Sequence, residues 1–137
     1  MKVNWLSALF GAILSFLFGS LDGFLITLIV FVIMDYITGV IDAIVNEELS
    51  SDIGFKGILK KVLIFAVVAV ANIIDVRVIQ QGSVLRTATV FFYLSNEGIS
   101  ILENIGNIGV PLPKKLIKVL KQLKEKDDEC ETDNWKD

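Results

Sequence analysis

Four stretches of the chain are apolar with little interruption: roughly Trp5 to Phe18, Phe24 to Ile41, Val62 to Ile79 and Val84 to Ile108. The second is the purest. Phe24 to Met34 reads FLITLIVFVIM without a charge, and past the single acid Asp35 it continues through Tyr36-Ile37-Thr38-Gly39-Val40-Ile41. Runs of this kind predict helices that cross a bilayer rather than core helices of a soluble domain. The first run is short. At 1.5 Å per residue its central part covers about 21 Å, against a hydrocarbon core of about 30 Å, so it borrows flanking residues, thins the bilayer or lies in the interface. Lys2 ahead of an apolar run also fits a signal peptide, but no small-x-small cleavage site follows. The pattern therefore predicts an all-α integral membrane protein with three or four transmembrane helices, spans at about 4–20, 23–45, 60–79 and 84–108. These form a membrane domain over residues 1–110, followed by a cytoplasmic charged tail over 111–137.

Two breaks punctuate the pattern. Asn46 to Gly57 (NEELSSDIGFKG) is rich in turn formers and caps; it reads as the main cytoplasmic loop, with Gly54-x-x-Gly57 as a turn signal and Ser51 or Asp52 as the N-cap of the next helix. At Gly109-Val110-Pro111-Leu112-Pro113, Pro111 stops the last span and Pro113 suits the first turn of a new helix. That helix sets Leu112, Leu116, Ile117, Leu120 and Leu123 against Lys114, Lys115, Lys118, Lys121 and Lys124. A basic amphipathic helix suits a surface of anionic lipid headgroups; a solvated coil, or a helix packed on another subunit, is the alternative.

Charge then gives an orientation. Lys114 to Lys126 carries six Lys and one Glu, a net +5, and Asp127 to Asp137 carries six acids and one Lys, a net −5. Lys2, the group Lys56, Lys60 and Lys61, and the Lys-rich block fall at one end of a four-span arrangement, which places both termini in the cytoplasm. With three spans the N-terminus moves outside. The opposite connections, Gly19 to Gly23 and Asp75 to Ser83, have no positive excess. Composition narrows the chemistry: 53% hydrophobic residues and a mean hydropathy of +0.64 leave little polar surface outside the tail. With no His and a single Cys, Cys130 in the acidic tail, zinc sites and His-based catalytic pairs are excluded. No catalytic, metal or cofactor-binding residue is assigned.

The polar residues inside the spans require an account, because an unpaired Asp at mid-helix costs about 2.5 to 3.5 kcal/mol on the insertion scale. Asp35, Thr38, Gly39, Asp42 and Asn46 recur at helical spacing and form one stripe of the second segment. The last segment has a second stripe through Arg86, Thr89, Tyr93, Asn96 and Glu97, Ser100, Glu103 and Asn104, and Asn107. Such faces are satisfied by packing within a monomer, by packing between subunits, or by lining water, and Gly39 with Ala43 permits close approach. Both stripes are candidate helix-packing or pore-lining positions.

The residues that carry these features resemble the phage holins of Gram-positive hosts, in the group that includes toxin-secretion holins. The resemblance runs through Asp35-Tyr36-Ile37-Thr38-Gly39, Gly54-x-x-Gly57 with Lys60 and Lys61, Asp75, Leu85-Arg86, and Phe92-Tyr93. It continues in Asn96-Glu97-Gly98-Ile99-Ser100-Ile101-Leu102-Glu103-Asn104 and Gly109-Val110-Pro111-Leu112-Pro113, and spans about residues 30 to 123. It implies a nonenzymatic protein that oligomerises with itself in the cytoplasmic membrane of a bacterial host and opens timed lesions. A cytosolic endolysin then reaches the cell wall without required direct contact. A small ion channel subunit, and an antiholin or membrane scaffold, are the alternatives; an antiholin is also a candidate partner. Nothing in the sequence points to nucleic acid.

Overall fold

Helix α1 (Lys2–Phe18) is followed by α2 (Gly23–Val45), α3 (Ser51–Ile74), a π-helical turn (Asp75–Ile79) that continues α3, and α4 (Val84–Ile108). The structure, a computed structural model, describes residues 2–119 together with 121 and 122; residues 114–119 and 121–122 are helical. Leu120, Leu123, Lys124 and Cys130 lie outside the described residues. Among the described residues, α2 and the stretch Ser51–Ile79 are each long and apolar enough to cross a membrane. Helix α1 is apolar but shorter, and α4 is long but carries Arg86, Glu97 and Glu103.

The helix boundaries have local causes. The Asp22 side chain accepts the Leu25 N–H at 2.9 Å and so caps α2. Helix α3 starts earlier than the loop reading expects. Its N-cap is Ser50, not Ser51 or Asp52, and the hydroxyl accepts the Ile53 N–H at 3.2 Å. Gly54 and Gly57 consequently sit inside α3 rather than in a turn. Two helical glycines cost about 1 kcal/mol each relative to Ala, and here they leave room for the Tyr36 side chain of α2, which passes 3.5 to 3.7 Å from where their Cβ atoms would be. Helix α4 closes on Gly109, whose φ of +95° is left-handed, before Pro111 is reached.

Helices α2, α3 and α4 enclose a short apolar core of Leu25, Leu28, Val32, Val68 and Val90, with Phe18, Phe65 and Leu94 packed around it. Most other large apolar side chains point outward, including Ile33, Ile37, Leu63 and Val70. In water such a surface would drive aggregation; in lipid it is the solvated face. Helix α1 is anchored mainly through its C-terminal part, with Phe18 edge-on to Phe65 and Phe16 beneath the Arg77 guanidinium.

Polar ties lock the end of the bundle where the α1–α2 connection meets the start of α4. Arg86, 5% exposed, donates from Nε to the Phe18 carbonyl at 2.7 Å, from Nη2 to the Ser20 carbonyl at 2.9 Å and from Nη1 to Asp22 Oδ2 at 2.8 Å. Asn72 donates to the Leu17 and Phe16 carbonyls at 3.0 and 3.3 Å, so the last carbonyls of α1 find donors on α3 and α4. Asp75 does the converse. Its carboxylate accepts the Leu85 and Arg86 N–H groups at 3.1 and 2.7 Å, capping α4 from a different helix, since Ser83 makes no side-chain cap. Among the described residues no buried side-chain nitrogen or oxygen lacks a partner.

Two outcomes follow for this end of the bundle. Gly19 has φ +74° and a Cβ there would meet Asn72 Oδ1 at 2.9 Å, whereas nothing lies within 4 Å of a Cβ on Gly11. Gly19→Ala should lower stability by about 1 to 2 kcal/mol or more, and Gly11→Ala should not lower it; detergent-denaturation midpoints of the two variants check this. Asp22 is held below the usual aspartate range first by the Arg86 hydrogen bond and then by the Leu25 N–H. Its stabilisation is present above the unfolded aspartate value of about 3.9 and is lost as pH falls through the lower folded value. Thermal midpoints measured from neutral pH to pH about 3 should therefore fall less steeply for Asp22→Asn than for the parent.

Candidate functional site

The inward face of α2 advances by threes and fours through Leu25, Leu28, Val32 and Asp35 and on to Gly39 and Asp42. The first three fill the apolar core; the next position is a carboxylate near the middle of the helix, buried to 6% exposure. The inward face of α4 follows the same logic through Arg86, Val90, Glu97, Ile101 and Asn104, with Glu97 again near mid-helix and buried. Facing both, near the middle of α3, stands Lys61.

The Lys61 ammonium donates to Asp35 Oδ2 and to Glu97 Oε2, a three-helix ion triad. Asn104 completes the shell of Asp35, its Nδ2 donating to Asp35 Oδ1 at 3.1 Å, to the Asp35 carbonyl at 3.3 Å and to Thr38 Oγ1 at 3.0 Å. Gly39 makes this approach possible, since a Cβ there would already lie 3.5 Å from the Asn104 amide. One turn further on, Asp42 accepts from Asn107 at 3.1 Å and from Asn46 at 2.6 Å. Charge-assisted hydrogen bonds of this kind are stronger than neutral ones, and in a medium without water the alternative for each group is desolvation with no partner.

The two polar stripes are therefore brought together only in part. Asp35, Thr38, Gly39, Asp42, Glu97, Asn104 and Asn107 meet across the α2–α4 seam, with Ser100 beside them on the wall of an adjoining cavity. Arg86 belongs to the opposite end and ties α4 to the α1–α2 connection. Tyr93 packs on the apolar core, Asn96 is half-buried, and Glu103 is exposed near the C-terminal segment. Lys114, Lys115, Lys118 and Lys121 are exposed, while Leu112 and Ile117 are half-buried toward α4, where Leu112 lies 3.6 Å from a Cβ position on Gly106.

The key cation was misread from sequence. Lys61 reads there as one of three loop lysines, because the Asn46–Gly57 segment looks like a loop and places Lys60 and Lys61 at a span entrance. Helix α3 instead runs unbroken through Gly54 and Gly57 and sets Lys61 near its middle, facing α2 and α4. Asp22, Asn72 and Asp75 were likewise not singled out as a polar tie. A signal was available: two intramembrane acids require a cation at matching depth, and Lys61 is the residue that α3 can supply. Among the described residues no group of three or more His, Cys, Asp or Glu is placed to hold a metal. The triad holds three helices together electrostatically.

Comparison with known proteins agrees with this membrane architecture. The chain is 46% identical over 125 residues to an uncharacterized 14.9 kDa protein of the nagH 3' region of Clostridium perfringens, covering 90% of this chain and 94% of that one. It is 41% identical over 128 residues to an uncharacterized protein of Listeria monocytogenes, covering 93% and 91%. It is also 41% identical over 115 residues to a probable holin of Bacillus phage phi105, covering 84% of each chain. No solved structure matches it. The profile of the bacteriophage holin family matches residues 12–125, which includes the ion triad, the Arg86 tie and the start of the basic tail, and the chain thus belongs to the bacteriophage holin family.

Proposed function

We propose that this protein accumulates in the cytoplasmic membrane of a bacterial host, assembles with copies of itself and opens timed lesions through which a cytosolic endolysin reaches the cell wall. Family membership supports the class of activity. The observation that carries the mechanism is the triad of Lys61, Asp35 and Glu97, one residue from each of three helices. In the resting molecule these charges satisfy one another, so the bundle persists in lipid. Separation of α2 from α4 turns the same groups into a wet, polar surface. Asp35, Thr38, Gly39 and Asp42, with Tyr93, Asn96, Glu97, Ser100, Glu103 and Asn104, then face neighbouring copies or the lumen, and release of Arg86 completes the opening.

In this reading all four helices cross. Helix α4 tolerates Arg86 and Glu97 because both are paired internally, and Glu103 lies within its last two turns. Helix α1, about 25 Å long at 17 residues, crosses a locally thinned bilayer. Both termini are cytoplasmic, and Lys114, Lys115, Lys118, Lys121 and Lys124 rest on anionic headgroups.

Induced expression with an endolysin that lacks a secretion signal should give abrupt lysis, and without the endolysin abrupt death with little lysis. Continued growth with an intact membrane potential in both cultures would sink the proposal. Lys61→Met leaves two buried carboxylates without a counter-charge, a cost of about 3 to 5 kcal/mol to the resting packing, so death should come earlier at matched membrane abundance. Adding Asp35→Asn and Glu97→Gln to that variant should restore the delay. An unchanged onset in Lys61→Met would remove the triad from the mechanism.

A further inference from the structure

Beside the triad lies a half-open cavity of about 260 Å³ that extends to the α2–α3 connection. Its lining runs from Ala43, Leu49 and Ile53 near the α2–α3 connection, past Gly39, Gly54 and Gly57, to Asp35, Lys61, Ser100 and Asn104 beside the triad. From Ile53 to Lys61 is about 12 Å along α3 at 1.5 Å per residue. A buried water needs roughly 10 to 15 Å³ of such space and two to four polar partners. The cavity has room for several waters, and Lys60, Lys61, Asp35, Ser100, Asn104 and Tyr36 supply donors and acceptors along its length. Beyond the triad the path ends. Leu28, Val68 and Val90 are each 0% exposed and form an apolar plug between the triad and the Arg86 end.

We infer that the resting molecule is already half of an aqueous pathway: the cavity is a water-filled vestibule that connects the Lys61–Asp35–Glu97 triad to the membrane face bearing the α2–α3 connection, and the Leu28–Val68–Val90 plug closes the other half. The ligand of this site is water, held as a short chain by the lining polar groups. Gly39, Gly54 and Gly57 let the polar Asn104 and Tyr36 side chains lie close against the wall, which puts an amide and a hydroxyl on the path. This inference rests on the reading of the protein as a membrane-spanning holin with a closed resting state. It assigns to that state a one-sided hydration that a dry bundle would not have. Lesion formation then requires displacing one apolar layer rather than hydrating the full thickness of the membrane.

Single cysteines in a Cys130→Ser background test this in sealed vesicles that retain a trapped dye, which reports the resting state independently of lytic activity. Glu48→Cys and Gln81→Cys mark the two faces, so the result does not depend on which face is cytoplasmic. The probes are Ser100→Cys at the inner end of the cavity, Leu59→Cys on the exposed face of α3 at similar depth, and Val90→Cys in the plug. A charged, membrane-impermeant methanethiosulfonate reacts with the thiolate, and each unit by which an apolar setting raises a thiol's pKa lowers the thiolate fraction about tenfold.

From the face that labels Glu48→Cys, Ser100→Cys should react at least about tenfold faster than Leu59→Cys, while Val90→Cys stays unreactive from either face. Equal rates for Ser100→Cys and Leu59→Cys would show the cavity filled by acyl chains and overturn the inference. So would labelling of Ser100→Cys from the Gln81→Cys face, or labelling of Val90→Cys. Equal labelling rates in a protein that still lyses cells with its endolysin would leave the lesion reading standing while removing the vestibule. Labelling as expected in a protein that never kills would do the reverse.

Discussion

One ammonium shared by two carboxylates at mid-helix organises this molecule. Helices in lipid gain nothing from burying leucine against leucine, since the acyl chains are equally apolar. The core of Leu25, Leu28, Val32, Val68 and Val90 therefore supplies close packing, but little of the drive that the same residues would give in water. The drive comes from groups that lipid cannot solvate. Lys61 binds Asp35 and Glu97 across three helices, and Asn104 donates to the other carboxylate oxygen of Asp35 and to the Thr38 hydroxyl. Remove the shared cation and the packing of α2 on α4 becomes unfavourable; retain it and the bundle has one arrangement. A buried ion cluster of this type is costly to break by removing one member, because the charges left behind have no partner.

The second polar tie has a different character. Around Arg86 and Asp75 most partners are backbone carbonyls and N–H groups at helix ends, so this network repairs the unsatisfied termini of α1 and α4. Asp75 reaches the first turn of α4 because the π-helical turn continues α3 past Ile74 and brings the carboxylate under the Leu85 and Arg86 amides. The molecule thus has a capped, tied end and a charged middle, separated by a thin apolar layer. Between them the polar residues of α4 divide into two roles that a single helical stripe does not distinguish.

The elements themselves were largely readable from the chain. The apolar runs gave α2 and α4 their extents, and the double-proline region located the end of α4. Ser51 and Asp52 lie within two residues of the observed cap at Ser50, but Gly54 and Gly57 ordinarily signal a turn, and their place inside α3 goes with the Tyr36 side chain that packs against them. Reading a turn there displaced Lys61 from the site. The acids were found because charge in an apolar run is conspicuous. Their partner was not, because a lysine next to another lysine near a span entrance looks like an orientation signal. Asn72 and Asp75 were missed for a related reason: their partners are main-chain atoms, which no side-chain pattern reveals.

The order in which the triad's members are synthesised bears on how the protein enters the membrane. Asp35 precedes Lys61, and Glu97 emerges last. As α2 and α3 leave the ribosome they can form a helical hairpin in which Asp35 is already neutralised by Lys61, so the most apolar helix need not cross with a naked charge. Helix α4 then arrives with two charges whose partners are waiting, Lys61 for Glu97 and the α1–α2 connection for Arg86. Asp35 thus meets its partner once α3 has been made, and Glu97 and Arg86 find theirs as soon as α4 has, so a small, polar-striped chain can be integrated as a hairpin followed by a single helix.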